Sequence, residues 1–227
     1  MTASQRLANT SWTDLNGDEV LLVPLGSVEQ HGPHLPLSTD ALIAEAVCLG
    51  LSALDANYVI TPVIHFGASG EHRSFRGTIS IGTEVLRDVL IELGRSCDWA
   101  AGVVFVNAHG GNAQALIEAV HLLSAEGRSA LAVPCAVRHG DAHAGHVETS
   151  VLLHIAGDRV DMSRAEPGNT SRWEELSRQV RDEGVAAVSP NGVLGDPTLA
   201  TADDGKEYLE AMVSRAHRLI CRWKEQR

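Results

Sequence analysis

Three segments of the sequence carry residues that bind metal ions or transfer protons. In the first, Glu29 and His31 are two positions apart in a stretch expected to be extended, so both side chains project to one side. Asp40 follows within twelve positions of Glu29. Carboxylates and an imidazole form the ligand set of a catalytic Zn, Fe or Mn site. The alternative, that Asp40 only caps a helix and His31 is a loop residue, explains each residue alone but not their grouping.

The second segment places His109 directly after an apolar run. Gly110 and Gly111 let the backbone turn sharply and approach a substrate, and Asn112 is expected to cap the helix that follows. The alternative is a plain Gly-Gly turn with a solvent-exposed His109. The first segment also follows an apolar run, and this parallel favours a shared site.

The third segment contains His143 and Glu148. They are five positions apart, so both can face one pocket if Gly145 opens a helix between them. The other polar side chains of this segment are expected to be exposed: His139, Asp141 and His146.

A glycine-rich stretch at 67–78 is expected to form a loop beside the site. Its Glu71 and His72 are candidates for substrate contact rather than for metal binding. The sequence has no GxSxG motif, and no cysteine adjoins the three segments, so covalent catalysis is not favoured.

The composition is that of a soluble globular protein. Of 227 residues, 44% are hydrophobic and 21% are charged, which excludes a disordered chain. The net charge of −11 argues against a nucleic-acid partner. No apolar run approaches the roughly 20 residues of a membrane helix, and the polar start of the chain carries no export signal. Four scattered cysteines predict reduced thiols in a cytoplasmic protein.

Short apolar runs alternate with helical stretches, and neither a repeat nor a linker interrupts them, so we expect a single domain over 1–227. Strands are predicted at 20–25, 58–64, 102–106 and 130–137, and helices at 39–54, 84–97, 112–126, 147–155, 171–183 and 206–224. This alternation indicates an α/β fold with a mostly parallel sheet covered on both faces. Ligands of such sheets bind beyond the carboxyl ends of the strands, where the three segments lie.

Taken together, the motifs resemble those of the creatininase family. They are Glu29-x-His31 with Asp40, Asn107-x-His109-Gly-Gly-Asn112 and His143-Ala-Gly-x-x-Glu148-Thr, in the family's order. The resemblance implies a single-domain three-layer α/β/α sandwich that assembles into a homo-oligomer of hexamer size or larger. The stretches 67–72, 77–82 and 192–198 look most like the peptidase branch of mycofactocin systems.

The resemblance also implies a site for two divalent metal ions, Zn or Fe(II), with Mn as an alternative. Glu29 and His109 would hold one ion, His31 the other, and Asp40 would bridge them. Such a pair holds and activates a water molecule.

Two departures from creatininase stand out. Creatininase has a glutamate ligand where this chain has Gly111, and Glu148 is the candidate replacement. The region 138–148 contains no tryptophan, whereas creatininase uses tryptophans there to enclose its substrate. Creatinine is therefore not the expected substrate.

The expected reaction is hydrolysis of a C–N amide bond. His143 would carry a proton to the leaving nitrogen, Glu148 would act as a ligand or a proton-transfer group, and Gly110 and Gly111 would offer N–H groups to the substrate. The branch implies a peptidase that frees the cross-linked C-terminal Val–Tyr unit of a modified precursor peptide. The alternatives are a cyclic-amide or formamide hydrolase and a metal-holding scaffold without turnover.

Overall fold

The central sheet consists of four parallel strands in the order β2–β1–β3–β4. In the computed structural model, which describes residues 6–138 and 140–226, the strands are β1 (Val20–Leu25), β2 (Tyr58–Ile60), β3 (Gly102–Asn107) and β4 (Ala130–Pro134). β1 and β3 are neighbours throughout, with Val20 opposite Gly102 and Leu25 opposite Asn107. Their carboxyl ends therefore lie side by side at one edge of the sheet.

Helices cover both faces of this sheet. They are α1 (Thr39–Ser52), α2 (Thr83–Ser96), α3 (Ala113–Ala125), α4 (His146–Ala156), α5 (Trp173–Glu183) and α6 (Ala202–Glu225). α1, α4 and α6 pack together on one face, and α2 and α3 pack on the other. α5 lies apart from both layers and builds a small apolar cluster with the turn that follows it. The α/β sandwich with a parallel sheet is thus confirmed.

The apolar core has two halves because the strand side chains alternate between the two faces of the sheet. Val20 and Leu22 point into the half beneath α1, α4 and α6, whereas Leu21 and Val23 point into the half beneath α2 and α3. All four are buried. This two-sided burial explains why the strands read as continuous apolar runs in the sequence.

The edge strands are shorter than the sequence predicts. β2 ends at Ile60 instead of 64, because Pro62 has no N–H to donate to a neighbouring strand. Ile64 then rejoins the sheet by a single bridge to Leu25. β4 ends at Pro134 instead of 137, because its partner β3 itself ends at Asn107.

The last helix, α6, begins four residues before its predicted start, at Ala202. Thr201 caps it, since the Asp204 backbone N–H donates to Thr201 Oγ1 at 3.1 Å.

Two further features of the structure match the composition. Among the residues that the structure describes, no helix combines the length and apolar character needed to cross a bilayer. All four cysteines are free thiols: Cys48, Cys97, Cys135 and Cys221.

Candidate metal centre

The site forms where β1 and β3 end next to each other. The segment after β1 carries Glu29 and His31, and the segment after β3 carries His109. Asp40 lies in the first turn of α1 and Glu148 in the first turn of α4. Four of these five side chains are buried, and that of Glu148 is 20% exposed. The three segments singled out in the sequence therefore converge.

Glu29, Asp40 and His109 form one group of potential ligands. His109 Nδ1 lies 3.2 Å from Glu29 Oε2 and 3.5 Å from Asp40 Oδ2. A ligand atom from each residue lies within 4.8 Å of the other two, which is compatible with a single cation between them.

His31, Asp40 and Glu148 form a second group, on the other side of Asp40. His31 Nε2 lies 3.2 Å from Asp40 Oδ1 and 3.8 Å from Glu148 Oε2. The two oxygens of Asp40 thus face different imidazoles. Ser27 Oγ holds the carboxylate in this orientation by donating to Oδ2 at 2.5 Å.

The chemistry of these donors fits divalent cations. Both oxygens of Glu29 are buried, and within the described part of the chain neither accepts a hydrogen bond of good geometry, although the imidazoles of His72 and His109 lie 3.3 and 3.2 Å away. A buried carboxylate without partners is costly unless a positive charge compensates it. Burial alone would raise the pKa of Glu29, but the neighbouring imidazoles, His109 foremost, hold it well below its usual value. The carboxylate is therefore ionised, as a metal ligand must be.

The backbone turns the two imidazoles toward the carboxylates. His31 Nδ1 lies 3.2 Å from the Glu29 carbonyl oxygen, and His109 Nε2 lies 3.2 Å from the Ala68 carbonyl oxygen. A carbonyl only accepts, so these ring nitrogens carry hydrogen and the opposite ones face the acidic groups. Carbonyl contacts of this kind orient metal-binding histidines.

His143 lies beside both groups. Its Nδ1 is 3.7 Å from Glu29 Oε1, and its ring centroid is 4.3 Å from that of His31. Glu29, His31 and His143 also satisfy the spacing of a ligand group. Burial, reinforced by the charges of His31 and His72, lowers the pKa of His143 well below its usual value. His143 is therefore a neutral imidazole at neutral pH.

The start of α4 fixes Glu148. Gly145 precedes the helix, as expected, and the Ala144 N–H donates to Glu148 Oε2 at 2.6 Å. Asp141 accepts hydrogen bonds from the backbone N–H groups of His146 and Val147. Burial raises the pKa of Glu148 to about 7.

The expectation that Asp141 is exposed is wrong, because its carboxylate satisfies the free N–H groups at the start of α4. His146 is half-buried rather than exposed, and its Nε2 lies 3.3 Å from Asp204 Oδ2. His139 lies outside the described residues.

Asn112 does not cap α3, contrary to expectation. Its side chain is buried and instead ties together three segments that meet behind the site. Oδ1 accepts from the Ala68 N–H at 2.8 Å, and Nδ2 donates to the Gly26 carbonyl and to Asn107 Oδ1, both at 3.0 Å. These bonds direct the side chain toward residues 26, 68 and 107 rather than toward the free N–H groups at the start of α3.

Gly111 leaves room for Glu71. A Cβ on Gly111 would lie well within 3.0 Å of the Ala68 carbonyl oxygen, of His109 Nε2 and of Glu71 Oε1. Glu71 Oε1 is 3.5 Å from His109 Nε2. The Glu71 carboxylate therefore occupies the space next to His109 that a side chain at position 111 would need.

His72, expected to be a loop residue in contact with substrate, lies deeper in the protein than that role requires. It is buried, and its Nε2 lies 3.3 Å from Glu29 Oε1. Gln30, which the sequence motifs do not single out as a functional residue, contacts both His72 and His143. Its position between Glu29 and His31 is the only signal in the sequence that marks it.

A cleft of about 950 Å³ opens onto the site. Glu71, His72 and the Gly110–Gly111 turn line its inner end, and His109 and His143 face it as well. Trp173 and residues 180–185, in α5 and the turn that follows it, form another wall of the cleft.

Comparison with known proteins identifies the family. The family model for creatininase, described as creatinine amidohydrolase, matches residues 8–220. A crystal structure of creatinine amidohydrolase superposes with a TM-score of 0.81 at 23% identity, over 96% of this chain and 97% of that one. The chain belongs to the creatininase family.

Its relatives include curated proteins of narrower function. A protein of Mycolicibacterium smegmatis (strain ATCC 700084 / mc(2)155), named mycofactocin precursor peptide peptidase, is 52% identical over 92% of this chain and 87% of its own length. The protein of the same name from Mycobacterium tuberculosis (strain ATCC 25618 / H37Rv) is 50% identical over 91% and 86%. The creatinine amidohydrolase of Pseudomonas putida is 28% identical over 87% and 86%.

Proposed function

We propose that this chain is a metal-dependent peptidase that cleaves the modified mycofactocin precursor peptide and releases its cross-linked C-terminal Val–Tyr unit. The observation that carries the proposal is the pair of ligand groups sharing Asp40, next to a large cleft that His109 and His143 line. Relatives that are 50–52% identical to this chain are named mycofactocin precursor peptide peptidase, which supports the proposed substrate.

Two divalent ions, Zn or Fe(II) with Mn as an alternative, fit the two groups. Glu29 and His109 would hold one, His31 and Glu148 the other, and Asp40 would contact both. Bound there, such ions polarise an amide carbonyl and lower the pKa of a water molecule toward neutrality. A creatininase variant described as the Zn-Zn type has this fold, with a TM-score of 0.80.

His143 has the position and protonation state of a proton carrier. Its Nε2 lies 2.8 Å from the Gln30 carbonyl oxygen, which can only accept, so Nε2 carries the hydrogen and Nδ1 has a free lone pair. Nδ1 faces Glu29 at the inner end of the cleft. There it takes a proton from the attacking water and gives it to the leaving nitrogen.

The cleft favours a peptide over a small ring. Its volume of about 950 Å³ is at the upper end of the about 300–1,000 Å³ of small-molecule sites. Glu71, His72, Gly110 and Gly111 line the end nearest the ligands, where the scissile amide would lie. Trp173 offers an apolar surface for the rest of the peptide.

Assembly and location complete the proposal. We expect a homo-oligomer of hexamer size or larger, as the family resemblance implies. Four free thiols fit a reducing cytoplasm. Sedimentation of the purified protein and fractionation of the native cells test these two points.

The direct test is incubation of the metal-loaded protein with the modified precursor peptide, followed by mass spectrometry. Release of the Val–Tyr-derived fragment is the expected result, and intact peptide would refute the proposal. Creatinine and a formamidopyrimidine tested in parallel separate the ring-hydrolase alternative, since a peptidase leaves both intact. His143→Ala separates the scaffold alternative, because catalysis predicts lost turnover with retained metal.

A further inference from the structure

The Gln30 side chain has one orientation only. It is buried, and its Oε1 accepts a hydrogen bond from the Gly32 N–H at 2.8 Å. Its Nε2 donates to the Gly192 carbonyl at 3.1 Å. Gly192 has φ +80°, and a Cβ there would collide with Gln30 Oε1. A backbone donor on one side and a backbone acceptor on the other fix which end of the amide is oxygen.

The second amide hydrogen has two candidate acceptors. His72 Nδ1 lies 2.8 Å from Gln30 Nε2, and His143 Nε2 lies 3.0 Å from it. His143 Nε2, however, already carries the hydrogen that it donates to the Gln30 carbonyl oxygen at 2.8 Å. A ring nitrogen that carries a hydrogen has no lone pair in the ring plane, so His143 Nε2 cannot also accept the amide hydrogen of Gln30. The amide hydrogen therefore goes to His72 Nδ1.

We propose that Gln30 is a positioning residue that sets the tautomers of two histidines. Its side-chain amide keeps His72 Nδ1 unprotonated, so that the hydrogen lies on Nε2, which is 3.3 Å from Glu29 Oε1. Its main-chain carbonyl keeps the hydrogen of His143 on Nε2 and leaves Nδ1 free.

Glu29 is the group that depends on this arrangement. Its Oε1 faces the N–H of His72, and its Oε2 faces His109. Without the Gln30 amide, His72 can move its hydrogen to Nδ1 and then presents a lone pair to the Glu29 carboxylate. The carboxylate would be repelled and would lose its orientation toward Asp40 and His109.

The test reads the tautomers directly in the full-length chain. ¹⁵N-histidine NMR at neutral pH, on metal-free and zinc-loaded protein, distinguishes protonated from unprotonated ring nitrogens. His72→Gln identifies the His72 signals by their loss. We expect His72 of the wild type to carry its hydrogen on Nε2 only. A wild-type His72 protonated on Nδ1 overturns the proposal without any need for a variant.

Gln30→Met keeps the side-chain length and removes the amide. We expect His72 to populate both tautomers in this variant, whereas His143 keeps its own, because the carbonyl of residue 30 remains. An unchanged His72 overturns the proposal. Gln179→Met, at an exposed position of α5, is the matched control and should alter neither histidine.

The effect on turnover rests on the proposed peptidase function. Gln30→Met should lower kcat by roughly 10–100-fold, as loss of a partner behind a metal ligand does, with little change in KM. Wild-type kcat in Gln30→Met would overturn the positioning role. Absence of peptide cleavage by the wild type would refute the peptidase instead, and the NMR result would still decide the tautomers.

Discussion

Asp40 Oδ1 lies 3.2 Å from His31 Nε2, and both side chains are buried. Burial alone would lower the pKa of His31, but the Asp40 carboxylate raises it to about 10. In the same way, Glu29 raises the pKa of His109 to about 10 against the effect of burial. Without a cation, the imidazoles of His31 and His109 are therefore both in the positively charged imidazolium form near neutral pH.

Metal binding should consequently release protons from His31 and His109. We expect the affinity for zinc to increase as the pH rises toward 10, because the competing protons are lost. Calorimetric titration in buffers of different ionisation enthalpy counts the released protons. His31→Gln should reduce that count, whereas His121→Gln, at an exposed position of α3, should not. A pH-independent affinity would contradict the assignment of these ligands.

Glu148→Gln should remove the second ion and leave the first. Glu148 belongs to the group with His31 but not to the group with His109. Loss of its charge should weaken the metal affinity of that site by at least about 10–100-fold, because the loss of a residue that only hydrogen-bonds to a ligand already costs that much. Metal analysis after dialysis should fall from two ions per chain to one. Glu118→Gln, at a half-buried position of α3 outside the ligand groups, is the control, and two retained ions would show that Glu148 is not a ligand.

Gly111→Ala and Gly110→Ala should differ sharply. The new Cβ at 111 would meet the Ala68 carbonyl, His109 and Glu71, whereas a Cβ at 110 has no atom within 4 Å. We expect Gly111→Ala to reduce the free energy of unfolding by about 1–3 kcal/mol and to weaken metal binding. Gly110→Ala should change neither quantity. Thermal unfolding and metal content are the measurements, and equal behaviour of the two variants would argue against this packing.

His34 should make the protein less stable in mild acid. Its Nδ1 is buried and has no hydrogen-bond partner among the described residues. Its Nε2 lies 2.8 Å from Thr149 Oγ1, and burial lowers its pKa to about 4. The unfolded chain takes up this proton at about pH 6.5, before the folded protein does. The free energy of unfolding should therefore decrease between about pH 6.5 and 4, by up to roughly 3 kcal/mol.

Urea unfolding across this pH range measures the His34 contribution. His34→Gln should show a flatter pH dependence than the wild type, since the other histidines are common to both. Parallel curves for the two proteins would assign the loss of stability to other groups.

The sequence predicts the candidate metal ligands of this site better than the residues that hydrogen-bond around them. The strand at 20–25 agrees with β1, and its position beside β3 had to be assumed before the structure showed it. Glu29, His31 and Asp40 follow from residue type and spacing. Asn112 and Gln30 do not, because an amide bonds equally well to any nearby donor or acceptor. Their partners at Gly26, Ala68 and Gly192 are distant in sequence, and only the folded chain brings them within reach.

One wall of the cleft belongs to a different part of the chain from the ligands. Trp173 and residues 180–185 supply that wall, yet none of them is among the groups that can hold a cation. Changes in α5 can thus reshape what the cleft admits while the hydrolytic chemistry stays constant. Related proteins could therefore come to accept new amide substrates by changes in α5 while the metal ligands stay the same. For the engineering of substrate specificity, α5 is the segment to exchange.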